Sequence, residues 1–210
     1  MKIYLIRHGE SVGNKLNINQ GQKNNFPLTE QGQNQAKKVS ERLANEKINA
    51  IYTSDLQRAK ETAHIINLKQ NLIPINDRRL RERDFGDLND KGNLLIEWES
   101  HVKKMVEQEG LNPEEVKAPN GESDKDHWDR IQDFLNEKIT QHHPDNTIIV
   151  VAHAGSNKIA LGITGHFSKQ EMYKSYQRNT GLNELEYNEG TWKIKQVNSI
   201  CHLGEDVEVD

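Results

Sequence analysis

Two histidines, two arginines and one glutamate occupy equivalent places along this chain. Arg7-His8-Gly9 follows the apolar run Lys2 to Ile6, Arg58 comes shortly after Ile48 to Thr53, and His153 directly follows Thr147 to Ala152. Glu82 lies in the charged stretch Arg78 to Gly86, just past Leu72 to Ile75. A guanidinium fork grips phosphate oxygens bidentately. A neutral imidazole can attack phosphorus, and a protonated one can stabilise charge on the equatorial oxygens. Phosphoryl transfer asks a protein mainly to position and neutralise, so a basic nest with one nucleophile and one acid is a sufficient kit. In that kit His8 is the nucleophile, Arg7 a phosphate clamp and Glu82 the acid.

These residues must be carried to one place by strands. Short apolar runs alternating with helical stripes imply βαβ units and a mostly parallel sheet, whose ligand crevice lies beyond the carboxyl ends of the strands. Thr147 to Ala152 is the most hydrophobic segment and reads as a central strand buried on both faces. Leu72 to Ile75 is interrupted by Pro74 and belongs near an edge. Leu182 to Tyr187 and Thr191 to Val197 flank Asn188-Glu189-Gly190, a hairpin signal that adds antiparallel strands. The expected fold is a three-layer α/β/α sandwich, mostly parallel with antiparallel edge strands.

Helices are expected from Thr29 as N-cap to about Asn45, and after a Ser54-Asp55 cap through Ile66. Others run from Leu94 to Glu109, from Ser123 or Asp124 through Ile139, from Asn157 to Ile163, and from Ser168 to about Tyr176. Ser11 to Phe26 is a long polar loop, a kind that is usually functional in a compact domain. The acidic end, Gly204 to Asp210, is expected to fray. The whole of 1–210 reads as one domain.

The 210 residues carry 28 Lys and Arg against 32 Asp and Glu, a net charge of -4, so nothing pulls the chain globally toward nucleic acid. Mean hydropathy of -0.91 and the lack of a long apolar run argue against a membrane span, and a strand at the start argues against a signal peptide. A cytoplasmic location is expected. Cys201, the single cysteine, excludes an internal disulfide and a Cys-based metal cluster, and reads as a small hydrophobe near a strand end. His142-His143, His64, His101, His127 and His166 read as solvated rather than metal-ligating, and Trp98 and Trp128 as core on helical stripes. Oligomeric state is left open, with a dimer compatible.

The order of these motifs resembles the histidine phosphatase superfamily, in its phosphoglycerate mutase-like branch, over nearly the whole chain. Arg7-His8-Gly9-Glu10-Ser11 is similar to the family's N-terminal signature, Asn14 to its loop asparagine, and Pro27 to Gly32 to the opening of its first helix. Ser54 to Ala59 with Thr62-Ala63, Leu80 to Arg83 with Gly86, Gly121-Glu122-Ser123 and Val151-Ala152-His153 resemble its later motifs. The resemblance implies that His8 is phosphorylated by the substrate and then hydrolysed. Arg7, Arg58 and His153 would hold the phosphoryl group, and Glu82 would protonate the leaving oxygen and later activate water. Substrate contacts would come from Asn14, Gly21, Gln22, Arg83 and Ala154. The scheme uses no metal or other cofactor, since the arginines neutralise charge, and its partner is a small phosphorylated metabolite.

Mutases of this type carry a longer insertion after the acid motif, a Tyr before its Gly and an arginine pair for the substrate carboxylate. Here Phe85 precedes Gly86, and no Arg-Arg pair occurs between Gly86 and Asp129. The segment 87–126, a helical insertion over the active site, offers Lys91, Lys103, Lys104 and Lys117. A phosphatase is therefore the expected activity. The alternatives are a phosphoglycerate mutase primed by 2,3-bisphosphoglycerate and a catalytically retired sensor of phosphorylated ligands. The loop departs from the family at Gln22 and at Asn24-Asn25.

Overall fold

The computed structural model of the protein describes residues 1–90 and 93–204. Lys91 and most of the acidic end expected to fray lie outside the described residues. Strands β1 (Lys2–Arg7), β2 (Ala50–Thr53), β3 (Ile75–Asn76), β4 (Thr147–Ala152), β5 (Leu182–Asn188) and β6 (Thr191–Ser199) form one sheet. Its order is β3-β2-β4-β1-β5-β6. The first four strands in that order run parallel, while β5 pairs antiparallel with β1 and β6 with β5. The hairpin turns through Glu189 and Gly190 with φ of 47° and 82°, the paired left-handed geometry that a tight two-residue turn requires.

Strand periodicity divides the core into two faces. From β4, Ile148, Val150 and Ala152 pack toward Ile131, Phe134 and Leu135 of helix α5 (Asp124–Gln141) and Ile159 and Leu161 of α6 (Ala154–Ile163). Its alternate residues Ile149 and Val151 pack toward Val39 and Leu43, from α2 (Glu30–Arg42) and its C-cap, and toward Ala59, Ala63 and Ile66 of α3 (Gln57–Asn67). β1 divides likewise, with Ile3 and Leu5 on one side and Tyr4 and Ile6 on the other. A chain with only 33% hydrophobic residues thus closes a three-layer core by spending them on both faces of central strands.

Several element limits differ from the sequence expectation. The loop 11–26 holds one short helix, α1 (Val12–Lys15), because Ser11 and Asn14 close a reciprocal capping box. α6 begins at Ala154 rather than Asn157, since His153 itself is the N-cap residue and supplies no side-chain cap to advertise the start. α3 begins after Leu56, and the expected caps are spent elsewhere: Ser54 on His153 and Asp55 on Arg81. α4 (Leu94–Glu109) ends at Gly110 in the left-handed region as its sequence suggested. α7 is shorter than expected (Lys169–Lys174), capped by Ser168.

Three side-chain expectations also change. Cys201 is exposed in a 3-10 turn after β6. His142 packs edge-on against Tyr52, with its Nε2 2.9 Å from the phenol oxygen. His127 is buried on α5, 3.1 Å from Ser156 Oγ.

Candidate active site

Strand register brings the two histidines together. Arg7 is the partner of Ala152 across β1 and β4, so the next residues, His8 and His153, leave the sheet side by side. Their rings lie 5.1 Å apart, edge to face. β2 contributes from the other flank: Thr53 pairs with Val151, and the following Ser54 places its hydroxyl 2.9 Å from His153 Nε2. α3 then carries Arg58 in its first turn, with the guanidinium buried against His8.

The hydrogen bonds of His8 decide which of its nitrogens carries the proton. Nδ1 lies 2.7 Å from the Gly9 carbonyl, which can only accept, so the proton is on Nδ1. Nε2 therefore keeps its lone pair, and Arg58 Nε donates to it at 3.2 Å. Burial first, then the charges of Arg58 and Arg7, hold the His8 imidazole well below its ordinary pKa. His153 is depressed in the same way, by burial and then by Arg58, its neighbour His8, Arg130 and Arg7. Both rings are thus neutral beside two cations, the state a nitrogen nucleophile requires.

Arg58 does more than face His8. It donates through its terminal nitrogens to the Gly21 carbonyl at 2.9 Å and the Asn24 carbonyl at 3.3 Å, docking the long polar loop onto the site. Gly21 has φ of +49°, and a Cβ there would meet the Asn89 side chain at 2.9 Å, so the carbonyl is presented by a backbone that favours glycine. Burial lowers the Arg58 pKa to about 10, against the raising effect of Glu82. Arg7 donates to the Gln177 carbonyl at 2.6 Å, while its Nε and His153 Nδ1 are buried with no partner among the described residues.

Glu82 enters from the segment after β3. One carboxylate oxygen accepts from the Gly155 amide at 3.0 Å, the other from the Arg83 amide at 2.9 Å. The first is an orphan donor in the first turn of α6, where a helix favours an anion. A Cβ on Gly155 would lie 2.2 Å from Glu82 Oε1, so this approach needs a residue without a side chain. Gln22 reaches the same segment, donating to the Glu82 carbonyl at 2.9 Å. Ala154 opens α6 between His153 and Gly155.

Asn14 and Arg83 have identifiable partners. Asn14 Oδ1 accepts from Asn179 Nδ2 at 3.2 Å, and the same amide nitrogen donates to the His8 carbonyl at 3.1 Å. Arg83 pairs with Asp124 and lies over the rings of Trp98 at 4.0 Å and Phe85 at 4.8 Å, tying the segment that carries Glu82 to α4. Sequence reasoning does not single out Asn179, Gln177 or Gly155, and it reads Ser54 as a helix cap and motif residue without its contact to His153. It also passed over Lys158, half-buried on α6 within the electrostatic reach of Glu82 and Arg7, its pKa lowered chiefly by burial. The available signal was position: Lys158 stands one helical turn past Ala154, and Asn179 just before β5.

Among the described residues no group of three or more His, Cys, Asp or Glu is arranged to hold a metal ion, and no helix is long and apolar enough to cross a membrane.

Comparison with known proteins gives the family. Residues 3–200 match the model of the histidine phosphatase superfamily, branch 1. The chain is 32% identical over 202 residues to "Uncharacterized phosphatase PhoE" of Bacillus subtilis, covering 96% of each. It is 31% identical over 215 residues to "Probable phosphoglycerate mutase GpmB" of Serratia proteamaculans, covering 97% of this chain and 95% of the relative. The solved structure of a phosphoserine phosphatase variant from Entamoeba histolytica, in complex with phosphoserine, superposes with a TM-score of 0.78 at 25% identity, over 96% of this chain and 98% of that one. With its fold, the order of its motifs and the convergence of His8, Arg58 and His153, the chain belongs to the histidine phosphatase superfamily and is an enzyme of that family.

Proposed function

We propose that the protein is a phosphatase that hydrolyses a phosphomonoester of a small metabolite through a phosphohistidine on His8. The observation that carries this reading is the pair of contacts on His8: a protonated Nδ1 against Gly9 and a bare Nε2 facing the Arg58 guanidinium.

In the first step His8 Nε2 attacks phosphorus, the bond to the leaving oxygen breaks, and Glu82 gives that oxygen its proton. In the second, water attacks phosphorus, Glu82 takes the water's proton, and the P–N bond breaks to release inorganic phosphate and restore His8. Arg7 and Arg58 bind the equatorial oxygens, with Asn14 assisting. Ser54, donating its hydroxyl hydrogen to His153 Nε2, puts the His153 proton on Nδ1, where it can meet a phosphoryl oxygen. Gly21, Gln22, Arg83 and Ala154 shape the surroundings of the ester, and the segment 87–126 covers the site as a helical insertion. The two guanidinium groups supply the charge neutralisation.

A phosphoglycerate mutase is the second reading, favoured by the name of the Serratia relative. It requires the phosphohistidine to be shielded from water and handed back to a metabolite. Phe85 before Gly86 and the lack of an Arg-Arg pair in 87–126 favour hydrolysis. Phosphate release from p-nitrophenyl phosphate and from a panel of sugar, glycerate and amino-acid phosphates separates the two. Net phosphate release with acid-labile ³²P on the protein, lost in His8→Ala, is the expected result. Isomerisation without release would replace the phosphatase reading by the mutase one, and labelling that persists in His8→Ala would move the nucleophile elsewhere.

A further inference from the structure

The segment from Arg79 to Asp84 carries Glu82 yet has no strand hydrogen bonds to hold it, only the 3-10 turn Arg78–Leu80. Its carbonyls are gathered instead by Arg130 of α5. The Arg130 guanidinium donates to the carbonyls of Arg79 at 2.5 Å, Arg81 at 2.7 Å and Glu82 at 3.0 Å. Its remaining donors form a bidentate fork on Glu122, at 2.9 and 3.0 Å. Glu122 in turn brackets the far end of the segment: its carboxylate accepts from the Asp84 amide at 3.1 Å, and its own amide donates to the Asp84 carbonyl at 2.8 Å.

A second chain of hydrogen bonds acts on the same segment. Ser156 Oγ donates to the Arg81 carbonyl at 2.7 Å, which leaves that oxygen to accept from His127 Nε2 at 3.1 Å. α5 and α6 therefore clamp one short piece of main chain from two sides. A catalytic group must be held within about 0.5 Å of its productive place. The clamp acts on the backbone of Glu82, while its carboxylate is held by the Gly155 and Arg83 amides.

We propose that Arg130, anchored by its fork on Glu122, is the positioning residue that fixes the Glu82 carboxyl for proton transfer to the leaving oxygen. The proposal rests on the reading of Glu82 as the general acid. Arg130 touches neither substrate nor reacting atoms in this scheme, and its effect is confined to the two steps in which Glu82 moves a proton, of which kcat/KM reports the first, up to departure of the leaving oxygen. Lys cannot reproduce a planar fork that serves a carboxylate and three carbonyls together.

The test is a series of phosphomonoesters with nitrophenyl, phenyl and alkyl leaving groups, assayed with Arg130→Met, Arg130→Lys, Glu122→Gln and Glu82→Gln. Poor leaving groups need the acid and good ones do not. Arg130→Met is expected to lose on the order of 10²-fold in kcat/KM on alkyl phosphates and under tenfold on p-nitrophenyl phosphate, in the same direction as Glu82→Gln. KM for the nitrophenyl ester should change little, and Arg130→Lys should restore part of the alkyl activity. If Arg130→Met does not fold, Glu122→Gln keeps the carbonyl contacts while weakening the fork, and should show the same pattern at smaller size. Equal losses across leaving groups in the Arg130 and Glu122 variants, with the graded pattern kept in Glu82→Gln, overturn the positioning role alone. Equal losses in Glu82→Gln itself overturn the acid and, with it, this proposal.

Discussion

Arg58 Nε points its hydrogen at His8 Nε2 across 3.2 Å, on the side of the imidazole opposite the Gly9 carbonyl. In the proposed mechanism the nucleophile's lone pair is thus held by the group that is to hold the phosphoryl oxygens, and a phosphate entering the site must come between them. Arg58 should matter for forming the phosphoenzyme more than for keeping His8 in place, because Gly9 already orients the ring. Arg58→Lys retains the charge but neither the fork nor the reach to Gly21 and Asn24. A loss of about 10²–10³-fold in kcat is expected, the size seen when one preorganised donor is removed. Rapid-quench measurement of acid-labile label checks it, and phosphorylation of Arg58→Lys at the native rate would show that Arg58 is not part of the phosphoryl site.

Acid should destabilise the fold early. His8, His127 and His153 are buried, and each is held well below its ordinary value of 6.5, chiefly by burial. On unfolding each regains ordinary proton affinity, so below about pH 6.5 the unfolded chain binds more protons than the native one. Stability conferred by these groups is therefore complete above pH 6.5 and declines as pH falls toward their native values, by roughly 1 kcal/mol per pH unit for each proton. His202, lowered to about 4 mainly by burial, acts in the same direction. Urea unfolding between pH 7 and pH 5 is expected to show this slope well above the range of ordinary carboxylates, near 4. His127→Gln, which keeps a donor for Ser156 without titrating, should flatten it; a slope that is absent, or unchanged by that variant, would contradict the neutral buried state.

The core should be least forgiving at β4. Ile149 is fully buried between β1 and β2, on the face covered by α2 and α3. Ile149→Ala removes apolar contacts on a strand flanked on both sides and is expected to cost about 2–5 kcal/mol. Calorimetric unfolding measures it, and a cost below 1 kcal/mol would mean that this face relaxes freely.

Much of this arrangement is legible in the sequence, for physical reasons that differ by element. β4 is legible to its residue because five consecutive buried residues, Ile148 to Ala152, leave a continuous apolar run after Thr147. The hairpin was found because Glu189-Gly190 supplies left-handed backbone. The starts of α3 and α6 were misplaced because the side chains that would have capped them belong to the site: Ser54 serves His153, Asp55 serves Arg81, and His153 takes the N-cap position without capping. Arg130 carries no signal and His127 reads as solvated because, on a helix, a residue bonding to a distant carbonyl or hydroxyl is indistinguishable in sequence from one facing solvent.

Gly155 separates the demands of stability from those of chemistry. It lies in the first turn of α6, where alanine would raise helix propensity by up to about 1 kcal/mol relative to glycine. The added methyl group would fall 2.2 Å from Glu82 Oε1, so the carboxylate must move and its bond to the Gly155 amide must lengthen. Gly155→Ala should therefore leave the unfolding midpoint unchanged or slightly raised while kcat/KM falls by at least tenfold, most for alkyl leaving groups. The Arg130 clamp on the Glu82 backbone directs that displacement into the side chain, since the main chain is held at the carbonyls of Arg81 and Glu82. Thermal denaturation and the leaving-group series, run on the same preparation, check both halves. Native kcat/KM in Gly155→Ala across the series would mean that Glu82 works from a position this amide does not define.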